Sequence, residues 1–324
     1  MNVTRLAAAA ALALSLAACA GHGVAVAPTA GTPSYQAHFL KPQDSVGGIG
    51  TRTVNVNLMD AAPVLSIGNV QHVNLAVTRI DVLQGGNYVT ITSYSTPHII
   101  DVLAHQYDNG ASAGAGLVNP VTYDGVRLAV DTTQSNVQTA TSTYPMSFVN
   151  ASTQASSGLG SNTTTSFEST NIVDMTVNRS IAISSDSTDG VELDFNAYES
   201  LADGNSNSVI ARPTLFSSSQ EQAGRIQGTV LNSSGNPVVG ATVVAVDSQG
   251  YGNSCSTDAN GQYLLHTLRP STYQLYVYNG YRTASGEVHY ASQYTAPWAG
   301  GKPVNGGTYQ LSGGQVITAS NIND

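Results

Sequence analysis

The sequence predicts an all-β protein that contains two β-sandwich domains. Apolar residues recur at every second position in short segments, which is the spacing of half-buried strands. No long apolar stripe with helical spacing accompanies them. Glycine is abundant, and only 10% of the residues are charged. Such a surface is solvated by hydroxyls and amides rather than by ion pairs, as is common in extracellular β-proteins.

The first 18 residues predict a secretion signal. Arg5 precedes an apolar run over residues 6–16, which is about half the length that a membrane-spanning helix needs. The sequence Leu16-Ala17-Ala18-Cys19 then resembles a bacterial lipobox. This resemblance implies cleavage before Cys19 and acylation of its thiol and new amine, and several acyl chains anchor a protein stably. The alternative is a plain signal peptide with a cysteine nearby by chance.

Sorting of such a lipoprotein depends on the residue that follows the cysteine. An aspartate there typically retains lipoproteins at the inner membrane of Gram-negative bacteria, and this chain has Ala20. We therefore expect a secreted, membrane-anchored protein at the outer membrane.

Composition shifts divide the rest of the chain. Residues 19–50 are rich in Ala, Gly, Pro and Thr and predict a flexible tether. A first domain is expected over 51–216, a linker over 217–223 and a second domain over 224–324. All five phenylalanines precede that linker, whereas the single tryptophan and nine of the 16 tyrosines follow it.

Alternating apolar positions locate the strands of the first domain. They are clearest around Val54, Val56 and Leu58, and the pattern shifts by one position between Val77 and Ile80. The Ser/Thr-rich stretch 132–170 is compatible either with polar strands or with a long loop.

Charge excludes one class of partner. The chain has a net charge of −9 and only 11 lysines and arginines, so no basic stripe is available for a nucleic-acid backbone. With Cys19 carrying lipid, Cys255 has no internal disulfide partner, and we expect a small buried side chain there.

Four segments of the second domain carry a recognisable pattern: 224–230, 238–243, 257–264 and 268–277. Together they resemble the carboxypeptidase regulatory-like, transthyretin-type β-sandwich. Asn260-Gly261 suits a left-handed turn, and Tyr273, Leu275 and Val277 alternate toward a core. The chain departs from the pattern at Ser271, where the family usually has glycine. The catalytic zinc-peptidase domain of carboxypeptidases is absent, so this resemblance implies no activity.

Five motifs are spread across the first domain. They are Val56-Asn57-Leu58-Met59-Asp60-Ala61-Ala62-Pro63, Ile100-Asp101-Val102-Leu103, Tyr123-Asp124-Gly125-Val126-Arg127-Leu128, Leu193-Asp194-Phe195 and Ala211-Arg212-Pro213. In this order they resemble a bacterial lipoprotein family, domain of unknown function 4382. This resemblance implies a β-sandwich and no established activity.

Catalytic and metal motifs are scarce. His98 and Asp101, followed seven residues later by His105 and Asp108, could assemble a metal site if the segment were a helix. The competing interpretation is a buried apolar segment with solvated polar neighbours, so we predict no metal and no cofactor. No zinc-protease motif, nucleophile elbow or phosphate loop occurs. We therefore predict that the protein is not an enzyme, although a hydrolase with an unrecognised site stays an alternative.

Aromatic residues supply the remaining functional signal. Strand alternation places Tyr276 and Tyr278 on the face opposite the core. Rings of this kind stack on sugars, and the regulatory-like sandwich also resembles carbohydrate-binding folds. The predicted carbohydrate-binding residues are Tyr276, Tyr278, Tyr281, Tyr290, Tyr294 and Trp298. Alternatively, the rings cover a sheet edge or pack on the first domain, since tyrosine favours strands.

These observations predict a lipid-anchored, non-catalytic envelope protein whose second domain binds a glycan or polysaccharide. The alternative function is a structural spacer, or a docking surface for an envelope protein partner.

Overall fold

The computed structural model describes residues 51–60, 63, 65, 67, 70–105, 110–149, 163–183, 190–204, 207–250, 252–278, 280–282, 288–290 and 304–323, which belong to one compact unit. Their regular structure is almost entirely strand, which confirms the predicted all-β class. Two separate hydrophobic cores lie in the two halves of this unit.

The first half is built from 15 strands among the described residues. They are β1 (Arg52–Met59), β2 (Val70–Gln84), β3 (Asn87–Asp101), β4 (Ala111–Val118), β5 (Thr122–Tyr123), β6 (Gly125–Asp131), β7 (Asn136–Thr139), β8 (Thr143–Phe148), β9 (Thr163–Phe167), β10 (Ile172–Val177), β11 (Ile181–Ala182), β12 (Gly190–Asp194), β13 (Leu201–Asp203), β14 (Val209–Ala211) and β15 (Phe216–Ser219). A 3₁₀ turn, Val102–His105, follows β3, and a short helix α1, Ala197–Ser200, follows β12.

Two sheets enclose the core of this first sandwich. One has the order β15-β12-β1-β4, and the other has the order β13-β14-β8-β7-β2-β6-β10-β9, with β3 also paired to β2. A small sheet joins β5 to β11. Leu58 on β1, Leu75 on β2 and Leu128 on β6 belong to the same fully buried core, so side chains from both sheets share it.

The second half contains ten strands among the described residues. They are β16 (Gly224–Leu231), β17 (Thr242–Asp247), β18 (Gly252–Ser256), β19 (Gln262–Leu268), β20 (Ser271–Tyr278), β21 (Gly280–Arg282), β22 (Val288–Tyr290), β23 (Val304–Leu311), β24 (Val316–Thr318) and β25 (Ile322–Asn323). The sheets are β19-β16-β24, with β25 also on β16, and β18-β17-β20-β23; β21 pairs with β22. Ile226, Val243 and Leu275 connect the two larger sheets through one core.

The alternating patterns correspond to strands as predicted. Val54, Val56 and Leu58 are fully buried on β1, with half-buried polar residues between them. The predicted shift after Val77 is a β-bulge, because the pairing of β2 with β3 and with β6 changes register between Val77 and Arg79. The described part of the Ser/Thr-rich stretch forms β7, β8 and β9, which is the polar-strand alternative.

The predicted linker at 217–223 differs from the structure. Ser217–Ser219 belong to β15 and pair with Val191–Leu193 of β12. These three serines are buried. A segment without apolar residues predicts a linker. Serine side chains are small, however, so β19 of the second sandwich can pack closely against β15. The chain segment that links the two sandwiches is therefore shorter than predicted, and it consists of residues 220–223 between β15 and β16.

Two turn predictions can also be compared. Gly261 has a φ of 71° and occupies the left-handed region, as predicted. Asn260 does not share that conformation, because Thr267, with a φ of 54°, is the non-glycine residue in the left-handed region among the described positions. Cys255 is a free, buried cysteine on β18, as expected.

Candidate functional site

The His/Asp set considered as a metal site lies on a strand and not on a helix. His98 and Asp101 belong to β3 with an odd spacing, so they project from opposite faces. His105 ends the 3₁₀ turn, and Asp108 lies outside the described residues. Within the described ranges, no group of three or more His, Cys, Asp or Glu side chains is arranged to hold a metal ion.

Asp101 instead stabilises the local chain. Its carboxylate lies 2.6 Å from Nδ1 of His72 and accepts hydrogen bonds from the backbone N–H groups of Val73 and Leu103. His98 stacks on Tyr94 at a centroid distance of 5.3 Å. These contacts give Asp101 and His98 structural roles in the fold.

Other acidic residues of the first-domain motifs have similar structural roles. The carboxylate of Asp60 accepts the N–H of Ala197 at 2.8 Å and so holds the start of α1. Asp124 accepts the N–H of Gly85 at 2.8 Å in the β2–β3 turn. Each carboxylate thereby satisfies a backbone N–H donor.

A charge network covers one side of the large sheet. Asp81 is fully buried, and its Oδ2 lies 2.7 Å from Arg127 and 3.0 Å from Arg79. Arg127 also bonds Asp174, and Arg79 bonds Glu168. The hydrogen bond and charge of Arg79 hold the pKa of Glu168 below its usual range. Opposite charges thus neutralise one another within the first sandwich.

The two sandwiches meet at a polar seam, formed by β12, β15 and α1 on one side and β16, β18 and β19 on the other. Glu192 on β12 accepts a hydrogen bond of 2.8 Å from Nη2 of Arg225 on β16, and both side chains are buried. Burial raises the pKa of Glu192 to about 7, although the charge of Arg225 favours the ionised form.

Side-chain amides extend this seam. Asp194 accepts hydrogen bonds from the N–H of Asn196 at 2.7 Å and from Nδ2 of Asn253 at 2.5 Å. Asn196 donates in turn to Oδ1 of Asn253 at 2.6 Å, and Ser254 donates to Glu199 at 3.1 Å. Burial raises the pKa of Asp194 to about 7, against the hydrogen bonds, which lower it. Because four of these hydrogen bonds cross the boundary, the seam fixes one sandwich on the other.

A cleft of about 540 Å³ opens beside this seam. Residues from both sandwiches line it: Asn178, Arg179, Ser180, Asp247, Ser248, Gln249, Arg269, Pro270, Ser271 and Tyr273. The first three follow β10, the next three follow or end β17, and the last four surround the start of β20. Its lining consists almost wholly of hydrogen-bonding side chains. This cleft is the candidate functional site.

Hydrogen bonds to two backbone carbonyl groups hold Arg269 at the cleft. Its Nη2 donates to the carbonyl oxygens of Ser180 and Ser217, at 2.9 and 3.2 Å. Its Nε is buried and has no hydrogen-bond partner among the described residues. Burial, and then the positive charge of Arg179, lower the pKa of Arg269 to about 10. The two guanidinium groups therefore act on each other electrostatically.

Asp247 supplies the acceptor of the cleft. Its carboxylate accepts hydrogen bonds from the N–H of Gln249 at 2.8 Å and from the hydroxyl of Ser271 at 3.3 Å. Burial, together with the charge of Asp247, raises the pKa of Tyr273 to about 12. Ser271 is the position where the chain departs from the regulatory-like pattern, and its side chain contributes to this site.

The structure places one predicted aromatic side chain. Leu275 and Val277 are buried, and Tyr276 between them is half-buried on the opposite face of β20, as the alternation predicts. The backbones of Tyr278, Tyr281 and Tyr290 lie in β20, β21 and β22. Their side chains, together with Tyr294 and Trp298, lie outside the described residues, so sugar binding by this set stays a prediction.

Sequence reasoning missed the cleft because its residues come from three distant segments. Arg179, Asp247 and Arg269 carry no common motif, and only the fold brings them together. The unusual Ser271 was the one local signal.

The lipidation prediction at Cys19 lies outside the described residues. In the parts of the chain that the structure describes, no helix has the length and hydropathy needed to cross a bilayer.

Solved structures with some similarity include several bacterial proteins. A Pseudomonas aeruginosa protein described as a candidate carbohydrate-binding protein matches at 14% identity with a TM-score of 0.21, over 32% of this chain and 90% of that chain. The major pilin subunit BcpA of Bacillus cereus matches at 10% identity with a TM-score of 0.24, over 84% and 99%. A dioxygenase domain from a Streptomyces dioxygenase–carbohydrate-binding fusion matches at 13% identity with a TM-score of 0.18, over 32% and 82%. No curated protein matches the chain.

Family models match both sandwiches. Residues 225–297 match the carboxypeptidase regulatory-like domain. Residues 51–213, half of the chain, match the Domain of unknown function (DUF4382). Both matches confirm the predicted resemblances. The chain is therefore a member of the DUF4382 family that carries a carboxypeptidase regulatory-like domain after its family domain.

Proposed function

We propose that this chain is a non-catalytic, lipid-anchored envelope protein that binds carbohydrate in the cleft between its two sandwiches. The cleft carries the proposal, because it gathers hydrogen-bonding side chains from both sandwiches in a volume of about 540 Å³. Sites for small ligands commonly measure about 300–1,000 Å³. A lining of hydroxyl, amide and charged groups suits a hydroxylated ligand better than an apolar one.

Rigidity of the cleft supports the same function. Its two walls belong to different sandwiches, and the buried pair of Glu192 and Arg225 holds these together at the seam. A preformed site avoids the entropy of ordering its walls when the ligand binds. The proposed anchor at Cys19 would display this rigid site at the outer membrane.

Predicted aromatic residues offer a second surface for the same ligand class. Tyr276 is half-buried on the outward face of β20, the strand whose first residues line the cleft. A long oligosaccharide could contact both surfaces.

Calorimetric titration of the full chain with a panel of neutral and acidic oligosaccharides tests the proposal. Ser248 is exposed in the cleft, so Ser248→Trp fills the site without disturbing a core. Ser234→Trp, in an exposed turn of the same sandwich, is the matched control. We expect saturable binding by the chain and by Ser234→Trp, and loss of binding by Ser248→Trp.

Two other outcomes would change the account. If no sugar binds to the folded chain, the carbohydrate function is wrong. If Tyr276→Ala abolishes binding while Ser248→Trp preserves it, the sugar binds to the aromatic face and not to the cleft.

A structural spacer is the second candidate function, and the seam favours it. Asn196 and Asn253 join the sandwiches through buried hydrogen bonds, which gives a unit of fixed length. A spacer or docking protein would capture an envelope partner equally well with Ser248→Trp and with the unmodified chain. Cross-linking in cells that carry each form distinguishes this function from sugar binding.

A further inference from the structure

We propose that the cleft selects acidic sugars, with Arg179 and Arg269 binding a sugar carboxylate. This inference rests on the proposed carbohydrate function and specifies its ligand class.

The charged residues that line the cleft favour a negatively charged ligand. Two arginines and one aspartate line it, in a protein whose overall net charge is −9. Each arginine comes from a different sandwich, since Arg179 follows β10 and Arg269 follows β19. The fold thus concentrates positive charge at a site that is accessible to solvent, whereas the chain as a whole is acidic.

Arg269 differs from three other arginines of the chain in its hydrogen-bond partners. Arg79, Arg127 and Arg225 are each bonded to at least one carboxylate of the protein. The hydrogen bonds of Arg269 instead go to two neutral carbonyl oxygens, of Ser180 and Ser217. Those bonds orient the guanidinium group but leave its positive charge without compensation from them.

Nε of Arg269 adds an unmet donor. It is buried and has no partner among the described residues. Guanidinium groups bind carboxylates through parallel N–H donors, a geometry that an ammonium group lacks. A carboxylate in the cleft near both side chains would relieve the repulsion between Arg179 and Arg269.

Asp247 completes the selection. The N–H of Gln249 and the hydroxyl of Ser271 hold its carboxylate at the cleft wall. A carboxylate is an acceptor of sugar hydroxyl groups, so it complements a ligand that carries both hydroxyls and a negative charge. A simple inorganic anion would use only the two arginines.

The competing explanation is structural. Arg269 joins Ser180 of the first sandwich to the end of β19, and both arginines would then serve only to stabilise the fold. Under that explanation the cleft has no preference for acidic over neutral ligands.

The test compares matched trisaccharides on the full chain by calorimetry. The probes are uronic-acid trisaccharides of galacturonate, glucuronate and mannuronate, their methyl esters, and the neutral hexose trisaccharides. The methyl ester removes the charge and leaves the ring unchanged. We expect the best acidic probe to bind at least about tenfold more tightly than its ester, because a tenfold difference is about 1.4 kcal/mol and one hydrogen bond to a charged group contributes at least that much. This preference should weaken at high salt.

Variants separate the site from the fold. Arg179→Gln should reduce the preference for the acid to less than about threefold. Arg52→Gln, on β1 and outside the cleft, should keep the preference. Because loss of Arg269 could unfold the seam, Arg269→Lys serves as its substitute and should weaken binding of the acid alone.

The outcomes are distinguishable. Equal affinity for acids, esters and neutral sugars would overturn this inference and leave carbohydrate binding intact. Absence of binding by every probe would overturn both.

Discussion

Glu192 and Arg225 form a buried ion pair whose partners belong to different sandwiches, with Oε1 of Glu192 2.8 Å from Nη2 of Arg225. Glu192 lies on β12 of the first sandwich and Arg225 on β16 of the second. This ion pair holds the two sandwiches together. The shape of the adjoining cleft therefore depends on how the two sandwiches dock.

Removing one member of this pair should destabilise the chain strongly. We expect Arg225→Met to lose about 3–5 kcal/mol of unfolding free energy at pH 8, because Glu192 stays buried without its counter-charge. Replacing Glu192 as well, by leucine, should recover most of the loss. Urea unfolding measures each variant.

Glu168→Gln is the control, because Glu168 pairs with Arg79 at an exposed position and should cost less than about 1 kcal/mol. A loss below about 1 kcal/mol in Arg225→Met would show that the pair does not hold the sandwiches together.

The two buried acids of the seam, Glu192 and Asp194, should make the stability of the chain depend on pH. Burial raises the pKa values of Glu192 and Asp194 to about 7, above their values of about 4 in an unfolded chain. The folded state therefore binds more protons between about pH 4 and pH 7, and its stability should fall as the pH rises through that range. Urea unfolding at pH 5, 6, 7 and 8 measures the slope.

Glu192→Gln removes one of the two titrating groups, so its slope should be shallower than that of the unmodified chain. Parallel curves for the two proteins would mean that Glu192 is already ionised in the folded state at pH 5.

The amide of Asn253 should matter as much as a charge. It donates to Asp194 and accepts from Asn196, so Asn253→Ala leaves both groups buried with one bond fewer. We expect a loss of about 2–6 kcal/mol, from about 1–3 kcal/mol for each of these two groups. Thermal melting compares it with Asn236→Ala, at an exposed turn, which should change stability by less than about 0.5 kcal/mol. Equal melting temperatures for these two variants would rule out the seam network.

Thiol reactivity should report the integrity of the second core. Cys255 is buried, and burial raises the pKa of its thiol well above the usual range. In a Cys19→Ala chain at pH 8, a thiol reagent should find no reactive group until denaturant is added, and one group afterwards. Rapid labelling of the native chain would contradict the burial of β18.

Lipidation at Cys19 is tested in cells. The unmodified protein should carry acyl chains on its N-terminal peptide, seen by mass spectrometry, and should fractionate with the outer membrane. Cys19→Ser should lack both the added mass and the membrane association. An unacylated peptide that begins at any other residue would disprove the lipobox interpretation.

Local patterns were sufficient to predict the strands and their cores. Val54, Val56 and Leu58 alternate into the first core, and Tyr273, Leu275 and Val277 alternate into the second, because strand side chains project to opposite faces. The alternation of apolar and polar residues, together with the turn residues, determines strands and their buried faces over a few neighbouring positions.

The seam and the cleft could not be predicted in the same way. Ser217–Ser219 looked like a linker, although a partner strand and a second sandwich bury them. Arg179 and Arg269 are 90 positions apart and share no motif. Their proximity depends on how two domains dock, which periodicity within one segment does not encode.

The most direct test of carbohydrate binding in the cleft is NMR of the arginine side chains. Nε–H signals of Arg179 and Arg269, assigned by Arg→Lys substitution, should shift in a saturable manner when an acidic trisaccharide is added to the full chain, while the Nε–H signal of Arg127 should not. Binding of the sugar without any shift at Arg179 or Arg269 would contradict the account and place the ligand elsewhere.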